Sequence, residues 1–202
     1  MTDSTETAEV GGVQAAPRPG KRDRLVAAAS DLVYRQGVAR TTLADIARAA
    51  DVPLGNVYYY FKTKDDIVGA VVHAHGQRLE STLSELEHRH RSPKARLKAL
   101  VGVLAERADE TAQYGCPYGT LSSELAKRGD GSDPLATPLM QIPLDWAERQ
   151  FRALGRRDAH DLAVELVASY QGSAVLASTL GQPELMIRQA RRRQRWIEAL
   201  PA

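Results

Sequence analysis

Beyond residue 20, apolar residues recur at intervals of three and four along most of the chain, a spacing that places side chains on one face of an α-helix. The strict alternation that is typical of strands does not occur. Short joints rich in Gly, Pro or Asp separate the periodic segments. The pattern therefore predicts an all-α fold. Its predicted helices span about 22–36, 43–50, 53–61, 63–90, 93–113, 117–127, 134–154, 159–180 and 183–200.

Several of these helices carry capping signals at their ends. Gly37 should end the first helix, because glycine readily adopts the backbone conformations in which helices stop. One of the adjacent residues Thr41 and Thr42 can cap the second helix by accepting a backbone N–H bond. Thr63 and the acidic residues after it resemble a capping box, which predicts the start of a long fourth helix.

The composition is that of a globular protein. Hydrophobic residues make up 43% and charged residues 26% of the 202 residues, and no apolar run approaches the roughly 18 residues of a membrane span. Residues 1–20 lack the pattern of a secretory signal and show no periodicity, so we expect a disordered tail. These features predict a cytoplasmic protein with no membrane partner.

The net charge, the single cysteine and the spacing of the histidines bear on nucleic-acid and metal binding. The net charge of +2 is too small to indicate a nucleic-acid partner by itself. Cys116 is the only cysteine, which excludes an intramolecular disulfide and any zinc site built from several cysteines. His73 and His75 are two residues apart on a predicted helix and therefore do not face one site. We expect neither a metal nor another cofactor.

The most informative segment is 41–64, TTLADIARAADVPLGNVYYYFKTK, in which a tight turn joins two short helices. Its three successive tyrosines either pack a small helical domain or face a partner. They cannot share one helical face, because successive residues are about 100° apart, so at least one ring should point outward. An exposed aromatic ring beside Asn56 and Lys62 favours a nucleic-acid partner.

This segment resembles the N-terminal signature of the TetR family of transcriptional regulators. The resemblance extends over about residues 21–69, with the same order and spacing of the signature positions. Those positions are Gly37, Thr41, Thr42, Ile46, Ala47, Val52, Tyr58, Tyr59, Tyr60, Phe61 and Lys64. The resemblance implies a three-helix helix-turn-helix domain at 21–66 and a larger helical domain for ligand binding and dimerisation at 67–202.

The resemblance also implies that the third helix enters the major groove of double-stranded operator DNA. Residues of that helix would contact base edges or the adjacent backbone, and residues around it would contact phosphates, which fix the register of a protein on DNA. The expected DNA contacts are Thr41, Thr42, Leu43, Leu54, Gly55, Asn56, Tyr58, Tyr59, Tyr60, Lys62 and Lys64.

Two positions depart from the family pattern. Asp51 stands where the family usually has a glycine in a left-handed conformation, which Asp tolerates better than most residues. Pro53, which suits the first turn of a helix, stands where a serine commonly caps the third helix. The start of that helix is therefore expected to differ, and the operator sequence is less transferable than DNA binding itself.

For the second domain, the resemblance implies a ligand pocket and a dimer interface without identifying their residues. Aromatic residues spread over several helices are common in small-molecule pockets, although each is equally an ordinary core residue. The candidate ligand contacts are Tyr114, Cys116, Tyr118, Trp146 and Tyr170. The last two helices should form a four-helix bundle with a second copy, through Leu162, Leu166, Tyr170, Gly172, Ser173 and Leu176.

Cys116 has two interpretations. If Pro117 opens a helix, the thiol lies at that helix N-terminus, where free N–H groups and the helix dipole stabilise a reactive thiolate. Alternatively, Cys116 is a buried and inert thiol that packs as a small hydrophobic residue.

These features predict a regulator and not an enzyme, since no Cys-His-Asn or phosphate-binding arrangement surrounds Cys116. We expect a dimeric regulator, most commonly a repressor in this family, that binds palindromic operator DNA and is released by a small-molecule effector. One alternative is a DNA-binding protein whose second domain only dimerises or binds a protein partner. The other is a thiol-based sensor that uses Cys116.

Overall fold

The computed structural model describes residues 20–128 and 133–201, and every regular element within them is an α-helix, which confirms the all-α prediction. None of these helices combines the length and apolar character needed to cross a membrane. The predicted tail lies outside the described residues except for Gly20, as does most of the joint at 128–133. The helices are α1 (Lys21–Arg40), α2 (Leu43–Ala49), α3 (Leu54–Tyr60), α4 (Lys64–Arg89), α5 (Pro93–Glu106), α6 (Ala108–Tyr114), α7 (Pro117–Ala126), α8 (Thr137–Ala153), α9 (Ala159–Leu180) and α10 (Glu184–Ala199).

Reciprocal capping boxes begin α2 and α4. The Thr42 hydroxyl accepts the N–H of Asp45 at 3.1 Å, and the Asp45 carboxylate accepts the N–H of Thr42 at 3.2 Å. Thr63 and Asp66 form the same pair of bonds at 3.1 and 2.8 Å, as predicted. Each box satisfies backbone donors that the first turn of a helix leaves without a partner.

Gly37 breaks α1, as predicted, with a φ of +82°, and the chain returns to helix as far as Arg40. Its backbone also lies against α7. A Cβ atom at this position would lie 2.8 Å from Oε1 of Glu124, whose Oε2 accepts the N–H of Val38 at 2.7 Å. Glycine is therefore favoured by the backbone conformation, and a side chain here would also displace the carboxylate of Glu124.

The turn between α2 and α3 adopts the conformation that the sequence predicts. Asp51 has a φ of +50° and is the one non-glycine residue of the described ranges with a positive φ. The N–H of Val52 bonds back to the carbonyl of Ala47 at 3.0 Å, which closes the turn. Pro53 precedes α3 and makes no side-chain cap bond, so this helix does start without the usual hydroxyl.

The apolar residues form two main cores, and α4 contributes to both. The first core joins α1, α2 and α3 to the start of α4, up to Val72, and to Leu121 and Leu125 of α7. The second core joins the end of α4 to α5, α8, α9 and α10 around Trp146 and Phe151. The helices α1, α2 and α3 are therefore packed directly on α4 and α7.

The prediction of a single helix over 93–113 is wrong, because the structure has two helices there. The chain breaks at Arg107, which has φ −99° and ψ 20°, between α5 and α6. No glycine or proline marks this break, so the sequence carries no local signal for it.

Candidate DNA-binding surface and ligand cavity

The short helix α3 packs one side against the core and exposes large side chains on the others. Val57 is completely buried in the first core. Tyr58, Tyr59 and Tyr60 are 48%, 76% and 37% exposed, and Leu54 is 42% exposed. The prediction that at least one tyrosine points outward is confirmed, and the alternative that the tyrosines pack the core is wrong. The rings of Tyr59 and Tyr60 meet edge to face at 5.0 Å, and we call the exposed Leu54, Tyr58, Tyr59 and Tyr60 the tyrosine surface of α3.

Other predicted DNA contacts surround this surface. Gly55 is exposed, with no atom within 4 Å of where its Cβ would lie, so the backbone is open to close approach. Asn56 is half-buried beside it. The ammonium groups of Lys62 and Lys64 donate to backbone carbonyls at the ends of α3 and α1, at 2.8 and 3.3 Å. The charge of Lys62 therefore lies next to the exposed tyrosines, and that of Lys64 lies at the end of α1.

The structure corrects the prediction for Thr41. This side chain is 1% exposed, and its hydroxyl donates to the carbonyl of Gly37 at 2.8 Å. It stabilises the end of α1 and does not face solvent, so we remove it from the candidate phosphate contacts. Thr42 is exposed as the cap of α2, and Leu43 is half-buried against the first core.

A cavity of about 300 Å³ lies among the helices α4 to α10. Leucine, valine, methionine, proline and alanine side chains make up most of its wall. Tyr118 and Tyr170, two of the predicted ligand residues, line it. Its size and mostly apolar wall are typical of pockets for small organic molecules.

Three of the predicted ligand residues, Tyr114, Cys116 and Trp146, do not line this cavity. Trp146 is 2% exposed and belongs to the second core, so its indole is a packing residue. Tyr114 faces α1, where Arg35 donates to its hydroxyl at 3.1 Å and its ring meets that of Tyr34 at 5.4 Å. The predictions for Trp146 and Tyr114 are corrected accordingly.

Comparison with known proteins identifies the family. The family model described as bacterial regulatory proteins, tetR family, matches residues 25–71. The HTH-type transcriptional repressor DhaR of Mycobacterium sp. (strain GP1) is 31% identical over 163 residues, which are 75% of this chain and 79% of that protein. The chain belongs to the TetR family.

Further TetR-family proteins resemble most of the chain. The HTH-type transcriptional regulator TtgR of Pseudomonas putida is 27% identical over 161 residues, 75% of this chain and 77% of that protein. The crystal structure of a TetR-family regulator from Agrobacterium tumefaciens superimposes with a TM-score of 0.77 at 21% identity, over 90% of this chain and 98% of that chain. The TetR family consists of transcriptional regulators with an N-terminal helix-turn-helix domain and a helical C-terminal domain, and its members are not enzymes.

In this TetR-family chain, Cys116 caps α7 and Pro117 is its first residue, as predicted. The thiol is nevertheless 4% exposed. Its Sγ accepts the N–H of Gly119 at 3.3 Å and lies 3.6 Å from the side-chain amide nitrogen of Gln171. Cys116 is not part of the cavity wall. Burial and these contacts favour the interpretation as a structural thiol.

Sequence reasoning missed several polar residues of the cavity wall, and four of them lie in separate segments. They come from α4, from the break between α5 and α6, from α6 and from α9, so no spacing in the sequence links them. Only the fold brings them together. They are Arg78, Arg107, Thr111 and Gln171.

The helices α6 and α7 connect this cavity to α1. Thr111 and Tyr118 belong to the wall. On the other side of the same helices, the hydroxyl of Tyr34 donates to the carbonyl of Gly115 at 3.0 Å, and Glu124 binds the backbone after Gly37. These two contacts link the α6–α7 segment directly to α1.

The structure divides the predicted dimer-interface residues of α9 between buried and exposed positions. Leu162, Leu166 and Ser173 are buried within the chain, which corrects their assignment. Tyr170 lines the cavity, whereas Gly172 and Leu176 are exposed as predicted. The large apolar side chains exposed on these helices are Val164 (42%), Val175 (62%), Leu176 (55%), Leu180 (56%) and Ile187 (36%).

His75 is buried beside the cavity residue Tyr118, with the two rings edge to face at 5.4 Å. Burial lowers the pKa of His75 to about 4, and the positive charges of Arg78 and Arg107 lower it as well. The imidazole is therefore neutral at pH 7.

We expect His75 to cost the protein about 2 kcal/mol of stability when the pH falls from 7 to 5. The unfolded imidazole binds a proton below about pH 6.5, whereas the folded one stays neutral until about pH 4, so acid favours the unfolded chain. Urea denaturation at both pH values should show this loss in the wild type and in His73→Gln, whose histidine is exposed. The His75→Gln variant should lose correspondingly less, and an equal loss in all three proteins would contradict the neutral buried imidazole.

Proposed function

We propose that this TetR-family protein is a ligand-responsive transcriptional regulator, a repressor by default, that binds palindromic operator DNA as a homodimer and is released by a small molecule. The exposed tyrosine surface of α3 carries this proposal. Three large rings on a seven-residue helix are exposed although apolar surface is normally buried, which is typical of a surface that binds a partner.

The chemistry of this surface suits the major groove. Tyrosine offers a hydroxyl and an apolar ring face for thymine methyl groups, and the Asn56 amide both donates and accepts hydrogen bonds. The open backbone at Gly55 permits close approach to DNA. The proposed base or adjacent backbone contacts are Leu54, Gly55, Asn56, Tyr58 and Tyr59. The proposed phosphate contacts are Thr42, Tyr60, Lys62 and Lys64, with Leu43 packing behind them.

The exposed apolar residues of α9 and α10 support dimerisation. Val175, Leu176 and Leu180 lie at intervals of one and four on α9, on the side that the second core leaves open. Two such helix pairs would form a four-helix bundle across a two-fold axis. Binding to a palindromic operator would require the two α3 helices to lie about 34 to 36 Å apart, which is one turn of DNA.

The cavity supports control by a small molecule. A ligand that favours one arrangement of α6 and α7 would shift α1 through Tyr34 and Glu124, and with it the spacing of the two α3 helices. A typical coupling of about 1 to 3 kcal/mol would change operator affinity roughly 5- to 150-fold. The cavity favours this function over a second domain that only dimerises, and the burial of Cys116 disfavours a thiol-based sensor.

Substitution of the exposed surface tests the DNA-binding proposal. We expect Tyr58→Ala and Asn56→Ala each to weaken operator binding by about 1 to 3 kcal/mol, as is typical for the loss of a base contact. Tyr58→Phe retains the ring and separates its contribution from that of the hydroxyl. Affinity is measured by fluorescence anisotropy, with melting temperature and dimer mass as controls for folding. Wild-type affinity in both alanine variants would exclude α3 as the reading helix.

A further inference from the structure

The ionisable side chains that line the cavity are positively charged or are tyrosines. Arg78, Arg107 and Arg193 belong to the wall, and no Asp or Glu of the described residues does. We infer that the cavity takes an apolar molecule with one anionic group, a carboxylate or similar oxyanion, held between Arg78 and Arg107. This inference rests on the proposal that the cavity is the effector site. A cationic ligand would meet uncompensated positive charge in this cavity.

Arg193 is not the residue that binds the anion, because its charge already has partners. Its Nη1 lies 2.8 Å from the carboxylate of Glu165, and its Nε donates to the hydroxyl of Ser169 at 2.6 Å. The guanidinium also lies over the ring of Trp196, at 5.6 Å from its centre. These contacts fix Arg193 as a structural part of the wall.

At the other two arginines, the positive charge is only partly compensated. Arg107 donates twice to one carboxylate oxygen of Glu110, at 3.0 and 2.7 Å. The guanidinium of Arg78 has neither an ion pair nor a hydrogen bond within residues 20–128 and 133–201. The three side chains together therefore leave one net positive charge at this part of the wall.

The neighbouring polar groups favour an anion as well. Burial raises the pKa of Tyr118, although the charges of Arg107 and Arg78 oppose that rise, so its hydroxyl keeps its proton at neutral pH. Tyr118 lines the cavity, and its hydroxyl makes no hydrogen bond to any other described residue, which leaves it free to donate. His75 behind it is neutral and supplies no competing charge.

The rest of the wall requires an apolar body on the ligand. Leu100, Leu139 and Met186 are among the apolar residues that line the cavity, and a polar body placed there would lose its hydrogen bonds to water. A volume of about 300 Å³ accommodates two fused aromatic rings with one substituent.

Isothermal titration calorimetry with two probes of matched shape tests this inference. 2-Naphthoate carries a negative charge at pH 7.5, and 2-naphthamide replaces its carboxylate by a neutral amide. We expect 2-naphthoate to bind at least about tenfold more tightly, because charge-assisted hydrogen bonds are stronger than neutral ones. In Arg78→Gln this preference should fall to about twofold or less, whereas the matched wall variant Arg193→Gln should keep it.

The outcomes separate this inference from the proposed function. Equal binding of both probes to the wild type, or loss of the preference in Arg193→Gln but not in Arg78→Gln, would overturn the anion site. Binding of neither probe would overturn the anion site together with the effector cavity. Operator binding is measured without a probe, so its presence or absence tests the DNA-binding proposal independently.

Discussion

Leu176→Asp should convert the protein into a monomer and weaken operator binding by about 100- to 10,000-fold, the gain that linking two binding modules commonly provides. Leu176 is 55% exposed within one chain, next to Val175 at 62%. If these residues meet their copies across a two-fold axis, two carboxylates would be buried close to the same axis without partners. Each monomer would retain its α3 but engage only one half-site.

Sedimentation velocity gives the mass, and anisotropy with a palindromic duplex gives the affinity. Leu135→Asp is the matched control, because Leu135 is a similarly exposed leucine (45%) that lies outside α9 and α10. We expect that control to remain dimeric and to bind DNA as the wild type does. A dimeric Leu176→Asp protein with wild-type affinity would show that the copies associate through another surface.

Phe151→Ala should destabilise the protein by about 3 to 5 kcal/mol, the usual cost of truncating a fully buried aromatic residue. Phe151 has no exposed surface, and its ring meets that of Trp196 at 6.0 Å. The alanine would leave a cavity in the second core where α5, α8, α9 and α10 meet. Phe151→Leu retains most of the volume and should cost less than about 2 kcal/mol.

Urea denaturation at one fixed protein concentration measures both values, because the stability of a dimer depends on concentration. Tyr59→Ala removes an aromatic ring that is 76% exposed and should change stability by less than about 0.5 kcal/mol. If Phe151→Ala were no more destabilising than Tyr59→Ala, the second core would not hold this domain together.

Features determined by neighbouring residues were predictable from the sequence. The capping boxes at Thr42 and Thr63 need only residues three positions apart, and the break at Gly37 reflects the preference of glycine itself. The left-handed backbone at Asp51 was implied by the family resemblance, because the family usually has a glycine at that position. These local signals were sufficient for the helix-turn-helix.

The side of a helix that faces the core or the cavity was not predictable from the sequence. Tyr118 and Tyr170 line the cavity, whereas Tyr114 faces α1 and Trp146 lies in a core, although all four are aromatic residues on helices. Similarly, α9 carries apolar residues around much of its circumference, so its pattern alone does not distinguish the core side from the exposed side.

The remaining differences arise at helix ends whose geometry depends on packing. Arg107 becomes a break between two helices without a glycine or proline, and it then pairs with Glu110 three residues later. The hydroxyl of Thr41 is buried because its bond to the carbonyl of Gly37 depends on the break in α1. Burial of this kind depends on packing, which is not visible in a single sequence.

The most direct test of the central claim is to select bound sequences from a random pool of duplex DNA with the purified protein, and then to measure affinity as a function of salt. Sequence-specific binding by two symmetric α3 helices predicts a palindromic consensus with half-sites one DNA turn apart, and an affinity that falls steeply as salt rises. No enrichment of any sequence, with weak binding to all duplexes, would contradict the proposal that the tyrosine surface of α3 reads an operator.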